Sequence, residues 1–142
     1  MIVDVAHATF ETTKQTAELS TSPIILSHSI LQRDEGRPVA RRAISVDHAK
    51  VVAQTGGVIG AWPSGFNKSF DEFIDNVKRL VDAVGIDHVG LGTDMDGNFK
   101  PVFSSYLQLP QWIAALRSRG FSTEETKKIT GENAGRVLTK VL

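Results

Sequence analysis

The chain has 142 residues, of which 41% are hydrophobic, and this length and composition predict a single domain over residues 1–142 with its own core. Lysine and arginine (16 residues) balance aspartate and glutamate (16 residues), which argues against a nucleic-acid-binding protein because such proteins normally carry a basic surplus. The absence of cysteine excludes disulfides and thiolate metal ligands, so any metal must be held by nitrogen or oxygen.

Short runs rich in valine and isoleucine alternate with helical patterns along the chain. The predicted strands are, in order, Met1–Ala6, Ile24–Ser27, Gly57–Ala61 and His88–Gly92. The predicted helices are Phe10–Leu19, Val46–Gln54, Phe70–Val84, Leu109–Arg119 and Thr123–Leu138, most of them preceded by a serine or threonine that can cap the first turn. This alternation predicts an α/β fold of four parallel βα units followed by a final C-terminal helix.

The links that follow the predicted strands are longer than those that precede them. Three long links cover residues 29–45, 62–69 and 93–108. Compact domains usually connect elements in about 4–6 residues, and longer loops tend to be functional. All three links leave the carboxyl ends of parallel strands, where α/β folds bind their ligands. We therefore expect the functional site at that edge of the sheet.

Three polar side chains come directly after the apolar runs, namely His7, His28 and Asp94. Because the carboxyl ends of parallel strands meet at one edge, we expect these side chains to lie close together. Two imidazoles and a carboxylate form a suitable set for a cation such as zinc. Each residue also has a structural interpretation, since a histidine at a strand end is often simply hydrogen bonded and an Asp-Gly pair is typical of a turn. The residues alone leave both interpretations open.

Other polar and aromatic residues are less specific. His48 is expected to be solvated in the first turn of its helix, and His88 lies at the opposite end of its strand, so neither is predicted to bind metal. The loop after the second strand contains four arginines that suit capture of a carboxylate but equally fit a solvated loop: Arg33, Arg37, Arg41 and Arg42. The aromatic residues of the other two links either line a pocket or cover the sheet: Trp62, Phe66, Phe99, Phe103 and Tyr106.

Three segments of the chain, in this order, resemble the carboxyl-terminal half of membrane (renal) dipeptidase. They are Asp4-Val-Ala-His7, residues 23–29 (PIILSHS) and residues 85–97 (GIDHVGLGTDMDG). Arg41-Arg42 ahead of Ala43-Ile-Ser is similar to the arginine-containing loop of that family. Gly131-Glu-Asn133, followed by Arg136-Val-Leu, is similar to its last helix. The resemblance extends over nearly the whole chain.

The resemblance implies a (β/α)8 TIM-type barrel hydrolase that holds two zinc ions and cleaves dipeptides with free ends. It implies that His7 and His28 are ligands of one zinc ion. It also implies that Asp94 lies beside the metal-bound water as proton acceptor and contacts the substrate amino group, and that Arg42 binds the substrate carboxylate. Ala43 stands where asparagine is usual in the family.

A complete barrel takes about 250 residues, and the resemblance assigns this chain to strands five to eight. The other zinc ligands of the family, a His-x-Asp pair and a bridging glutamate, belong to its amino-terminal half. None of the four histidines here begins a His-x-Asp sequence, so the chain offers at most one partial zinc site. Because half a barrel exposes two strand edges and an apolar inner face, we expect it to pair with a complementary amino-terminal half-barrel or to form a homodimer.

The sequence thus supports three hypotheses. The first is dipeptide hydrolysis by the assembled barrel, with the isolated chain inactive. The second is a non-catalytic half-barrel that serves in assembly, and the third is an amidohydrolase that acts on another small amide. No run of about 18 apolar residues predicts a membrane-spanning helix, and no secretory signal is visible at the N-terminus. With the lack of cysteine, these features predict a cytoplasmic location.

Overall fold

A computed structural model describes residues 1–33 and 42–142 of the chain. The described residues form one parallel sheet of four strands in the order β1-β2-β3-β4. The strands are β1 (Val3–Asp4), β2 (Ile24–Ser29), β3 (Val58–Ala61) and β4 (Val89–Leu91). The predicted alternation of parallel strands and helices is therefore confirmed.

The helices lie between and after the strands. They are α1 (Phe10–Leu19), α2 (Val46–Gln54), α3 (Phe70–Val84), α4 (Leu109–Ser118), α5 (Thr123–Lys127) and α6 (Asn133–Val141). The bounds of α1, α2 and α3 are those predicted, because a side-chain oxygen caps each first turn: Thr9, Ser45 and Ser69 accept hydrogen bonds from the backbone N–H three residues ahead.

The continuous last helix predicted from Thr123 to Leu138 is wrong. The chain forms the short helix α5, then a wide turn over Lys128–Glu132, and then α6. The helical backbone is interrupted at Gly131, and two residues later the Asn133 side-chain amide donates to the carbonyl oxygens of Ile86 and Val89, each at 2.8 Å. These hydrogen bonds tie the start of α6 to the segment around the start of β4, and the chain does not continue as one regular helix.

The core lies between the sheet and the helices. Helix α3 buries one face completely, including Phe73 and Val77, and the strands bury Leu26, Ile59 and Val89 against the helical layer. On α4, the Trp112 ring stacks on Phe73 with 6.3 Å between ring centroids and contacts Phe103 at 6.5 Å. Because Phe103 belongs to the link after β4, this aromatic contact fastens that link to the core.

The sheet remains open within the described residues. There β1 pairs only with β2, and β4 pairs only with β3. Strand β1 has two residues, fewer than the predicted run Met1–Ala6, because the Asp4 side chain binds the N–H of Ala6 and turns the chain. In the same parts of the chain, no helix combines the length and the apolar character that crossing a bilayer requires.

Candidate functional site

The site lies where the strands end and the long links begin. Strands β2, β3 and β4 end at Ser29, Ala61 and Leu91, and each is followed by one of the three long links. All of these ends fall on the same edge because the strands are parallel and paired in sequence order. The expectation that the long links share one edge is confirmed.

His7 lies in a tight turn just after β1. The N–H of Ala8 donates to the carbonyl oxygen of Val5 at 3.1 Å, and His7, the third residue of this turn, has a φ of 63°. A positive φ at that position is characteristic of a sharp reversal and is uncommon for a side chain as large as histidine. The turn directs the exposed imidazole of His7 toward the end of β2, where it meets His28.

His28 lies near the end of β2, at an irregularity in the pairing between β2 and β3. Its side chain is 12% exposed. The Nδ1 atom of the ring is 3.1 Å from the hydroxyl oxygen of Ser27. Since that contact engages Nδ1, the other ring nitrogen, Nε2, is the one directed at the neighbouring strand end.

Asp94 lies three residues after β4 and opens a turn in which the N–H of Gly97 donates to its carbonyl oxygen at 3.0 Å. The φ of Asp94 is 47°, again in the left-handed region. Its carboxylate is 28% exposed. The turn interpretation and the site interpretation of Asp94 are thus compatible, because the backbone makes the turn while the side chain faces His28.

The structure brings the three predicted side chains together. The Nε2 atoms of His7 and His28 are 3.0 Å apart, and the Nε2 atom of His28 is 3.8 Å from the Oδ2 atom of Asp94. Among the described residues, positive φ occurs at three residues other than glycine, and two of them are His7 and Asp94. Such strained conformations cost about 1–3 kcal/mol each and concentrate at functional sites.

Comparison with known families now identifies the chain. The sequence model of membrane dipeptidase, peptidase family M19, matches residues 1–142. The chain belongs to the membrane dipeptidase family. Dipeptidase tcpJ of Claviceps purpurea is 32% identical, with 99% of this chain and 35% of the relative covered. Dipeptidase ataJ of Aspergillus terreus is 28% identical, with 99% and 36% covered. The chain thus spans about a third of the length of these curated relatives.

Two solved structures share the fold. The probable dipeptidase PvdM from Pseudomonas aeruginosa superposes with a TM-score of 0.88 at 20% identity, covering 99% of this chain and 50% of that one. A metallopeptidase from Rhodobacter sphaeroides, liganded with a phosphinate mimic of the dipeptide L-Ala-D-Ala, gives a TM-score of 0.85 at 23% identity. That match covers 98% of this chain and 42% of the other. The predicted fold class is confirmed, since the four βα units are part of a TIM-type barrel.

The histidine pair suits metal binding in its chemistry. Zinc bound by two imidazoles at about 2.0–2.1 Å in tetrahedral geometry places the two nitrogens roughly 3.3 Å apart, close to the 3.0 Å observed here. Without a cation, two neutral imidazoles that face each other need one Nε2 to carry a proton and donate it to the other. With a cation between them, both Nε2 atoms can be unprotonated and both lone pairs bind the cation. Among residues 1–33 and 42–142, however, no group of three or more histidine, cysteine, aspartate or glutamate side chains is arranged to hold a metal ion. The pair therefore fits as part of a site.

Electrostatics favour the neutral form of His28. Burial lowers the pKa of its imidazole, the Asp94 carboxylate partly offsets this effect, and the facing His7 lowers the pKa further. A metal ligand must be the neutral imidazole, so the lowered pKa extends the pH range in which His28 can bind a cation.

A pocket of about 340 Å³ extends from the two histidines to the start of α2, and Arg42, Ser45 and Trp62 are among its lining residues. Arg42 is exposed there. Arg33 is engaged elsewhere, since it forms an ion pair with Glu72 and also donates to that residue's carbonyl oxygen. The remaining two arginines of the loop, Arg37 and Arg41, lie outside the described residues.

The aromatic residues of the links differ in location: Trp62 lines the pocket, Phe103 is in the core, and Phe99 and Tyr106 are exposed. The Trp62 ring packs against the His28 ring at 5.3 Å and the His7 ring at 6.4 Å between centroids, so it forms a wall behind both imidazoles. Phe66 contacts Trp62 at 5.8 Å. Phe103 is buried in the core, while Phe99 is exposed. The sequence leaves these roles open because a tryptophan after a strand packs equally well in either place.

The prediction that His48 is solvated is wrong. His48 is 5% exposed, and its Nε2 atom lies 2.7 Å from the hydroxyl oxygen of Thr13 on α1. Its ring also contacts Phe10 at 5.8 Å. Helix α1 packs over the first turn of α2, and this contact between elements distant in sequence removes His48 from water. His88 matches its expected structural role, with Nδ1 2.9 Å from the carbonyl oxygen of Gly57.

The burial of His48 predicts a pH-dependent stability. Burial lowers the pKa of the folded imidazole below its ordinary value of 6.5, so the unfolded chain takes up a proton first as the pH falls. The contribution of neutral His48 is complete above about pH 6.5 and is lost as the pH falls from there through the lowered folded pKa. Urea unfolding between pH 5 and 8 should therefore show a weaker pH dependence for His48→Gln than for the unaltered chain. An unchanged pH dependence in the variant would contradict this account.

Proposed function

We propose that the protein hydrolyses the peptide bond of dipeptides and that this chain supplies the carboxyl-terminal half of the catalytic barrel. Membership of the membrane dipeptidase family supports the reaction type. The coverage of 42% and 50% of two superposed structures supports the view that this chain forms only part of the barrel.

One observation carries the proposal. Three side chains from three strand ends, separated by up to 87 residues in sequence (94 − 7), converge at one edge of the sheet. The two imidazole Nε2 atoms are 3.0 Å apart, and the carboxylate of Asp94 lies 3.8 Å from one of them. Neutral imidazoles can hold a metal ion and a nearby carboxylate can accept a proton, and metal-assisted amide hydrolysis can use both.

His7 and His28 are the residues of this chain that would hold zinc. A bound zinc ion supplies Lewis acidity toward a peptide carbonyl and makes a water molecule more acidic. The remaining ligands must come from outside the described residues, and the family resemblance assigns them to an amino-terminal half-barrel. The two open edges of the sheet, on β1 and β4, are where such a half would pair.

Asp94 and Arg42 would act on the substrate itself. The partly exposed carboxylate of Asp94 would accept the proton released by the attacking water and contact the free amino group of the dipeptide. Arg42, an exposed residue of the pocket lining, would bind the free carboxylate of the dipeptide. These two contacts at opposite ends of the substrate would restrict the site to short peptides with both ends free.

Reconstitution tests the proposal. This chain is mixed with an amino-terminal half-barrel from a family member and zinc, and release of amino acids from an unblocked dipeptide is measured. We expect hydrolysis only when both halves and zinc are present. Asp94→Asn should lower kcat by about 100-fold to 10,000-fold, which is the usual range for loss of a general base. Asp96→Asn is the matched control, because Asp96 is an exposed carboxylate in the same turn.

The outcomes separate the competing functions. No hydrolysis with both halves and zinc present would favour a non-catalytic assembly role. Equal hydrolysis of an unblocked dipeptide and its carboxyl-amidated counterpart would favour an amidohydrolase with another substrate, because Arg42 would then have no carboxylate to bind. Equal activity of the Asp94→Asn and Asp96→Asn variants would refute the role of Asp94.

A further inference from the structure

The Asp4 carboxylate joins the ends of β1 and β2. Its Oδ1 atom accepts two backbone hydrogen bonds, one from the N–H of Ala6 and one from the N–H of Ser27, each at 3.0 Å. The first closes the turn after β1, and the second reaches across to the neighbouring strand. A single exposed oxygen atom therefore connects two segments that are 21 residues apart in sequence (27 − 6).

Each of the two bonded N–H groups belongs to the residue just before a site histidine. Ala6 precedes His7, and Ser27 precedes His28. Ser27 also holds the His28 ring directly, through the 3.1 Å contact between its hydroxyl oxygen and Nδ1. The position of Asp4 thus affects both imidazoles. It affects His7 through the turn after β1 and His28 through Ser27.

Few backbone hydrogen bonds join the end of β1 to β2 among the described residues. The strand has two residues, and its pairing ends at Asp4 opposite Ile25, with one further hydrogen bond from the Val5 N–H to the Ile25 carbonyl oxygen at 2.8 Å. Beyond that point His7 holds a left-handed conformation, which relaxes unless neighbouring contacts maintain it. The carboxylate provides such a contact, and bonds from N–H groups to a charged acceptor are stronger than neutral ones.

We infer that Asp4 is a positioning residue that sets the spacing of the His7 and His28 imidazoles by holding the backbone of Ala6 and Ser27. This inference rests on the proposed function, in which the two imidazoles hold a cation. Groups that orient metal ligands typically contribute about 10–100-fold to metal affinity. Asp4 acts here as a hydrogen-bond acceptor, without contacting the cation.

Zinc titration of the 142-residue chain, by calorimetry against a competing chelator, tests the inference. Asp4→Ala should raise the zinc Kd by about 10–100-fold. Asp4→Asn should stay within about threefold of the unaltered chain, because the amide oxygen also accepts two hydrogen bonds. Asp4→Ser retains an oxygen for the local turn but is too short to reach Ser27, and it should behave like Asp4→Ala. This third variant covers the case in which Asp4→Ala does not fold.

Glu125→Ala is the matched control, because Glu125 is a partly exposed carboxylate on α5 that accepts the N–H of Ser122 at 2.7 Å. It should lower Tm and leave the zinc Kd unchanged. In a His7→Ala background, Asp4→Ala should have no further effect on zinc affinity, since the pair it positions is already lost. A purely structural role for Asp4 would instead lower Tm without altering the zinc Kd, as in the control.

A second readout separates this inference from the proposed function. Long-range ¹H–¹⁵N spectra of the metal-free chain should show the His28 proton on Nδ1, facing Ser27, and Asp4→Ala should give a mixture of tautomers. If His7→Ala leaves zinc binding unchanged, the proposed metal site is wrong. The role of Asp4 is then judged only from the effect of Asp4→Ala on the His28 tautomer. If Asp4→Ala preserves both the zinc Kd and the tautomer, or if Asp4→Asn is as damaging as Asp4→Ala, the inference is overturned.

Discussion

Replacing His28 by alanine is expected to raise the zinc Kd of the chain by more than about 100-fold, since even groups that only orient a ligand contribute 10–100-fold. The physical reason is the facing geometry of the pair. With one Nε2 atom removed, His7 alone remains, exposed and in a strained turn, and a single imidazole cannot chelate. Calorimetric titration with zinc measures the change directly. In the reconstituted barrel, the same variant should abolish dipeptide hydrolysis.

His88→Ala is the matched control for this prediction. His88 is also a partly buried histidine next to a strand, but it lies at the amino-terminal end of β4 and contacts the Gly57 carbonyl oxygen. The variant should bind zinc like the unaltered chain. Equal loss of zinc binding in both variants would mean that the metal binds elsewhere, and the assignment of His28 would then be wrong.

The sequence predicts the regular elements well where local chemistry decides them. Helix α3 begins and ends as predicted because Ser69 caps its first turn and Gly85, with a φ of 88°, ends it. Prediction fails where a distant contact decides. The last helix is interrupted at Gly131, next to an Asn133 side chain that binds carbonyl oxygens 44 and 47 residues away, and no local pattern reports such a contact. The same holds for the burial of His48 by α1.

The candidate site also has parts that the sequence predicts and parts that only the structure shows. Strand-end placement predicts that His7, His28 and Asp94 converge, because parallel strands bring their carboxyl ends together whatever the details of packing. The family resemblance adds roles for these residues and for Arg42. The contributions of Asp4 and Trp62 require coordinates, since one depends on a hydrogen bond across strands and the other on the direction of a ring. Neither leaves a recognisable spacing in the sequence.

Gly92→Ala is expected to have the largest effect on stability, about 3 kcal/mol or more, because the new methyl group meets backbone atoms. A Cβ atom at Gly92 would overlap the Ser27 carbonyl oxygen and lie 2.8 Å from the Gly60 Cα and 2.9 Å from the His28 Cα. Backbone atoms cannot turn aside as a flexible side chain can, so the ends of β2 and β4 must separate. Urea unfolding measures the loss of stability.

The same substitution should also disable the site in whatever fraction of the chain remains folded. Gly92 lies two residues before Asp94 and packs against the backbone of His28, so separating the strands moves the carboxylate away from the imidazole. Zinc titration and reconstituted hydrolysis should both show the effect. Gly135→Ala is the control, because a Cβ there meets nothing within 4 Å and α6 should gain up to about 1 kcal/mol from alanine's higher helix propensity. If Gly92→Ala unfolds at the same urea concentration as the unaltered chain, the strand ends can separate at little cost. Close packing of Gly92 would then not be what holds His28 beside Asp94.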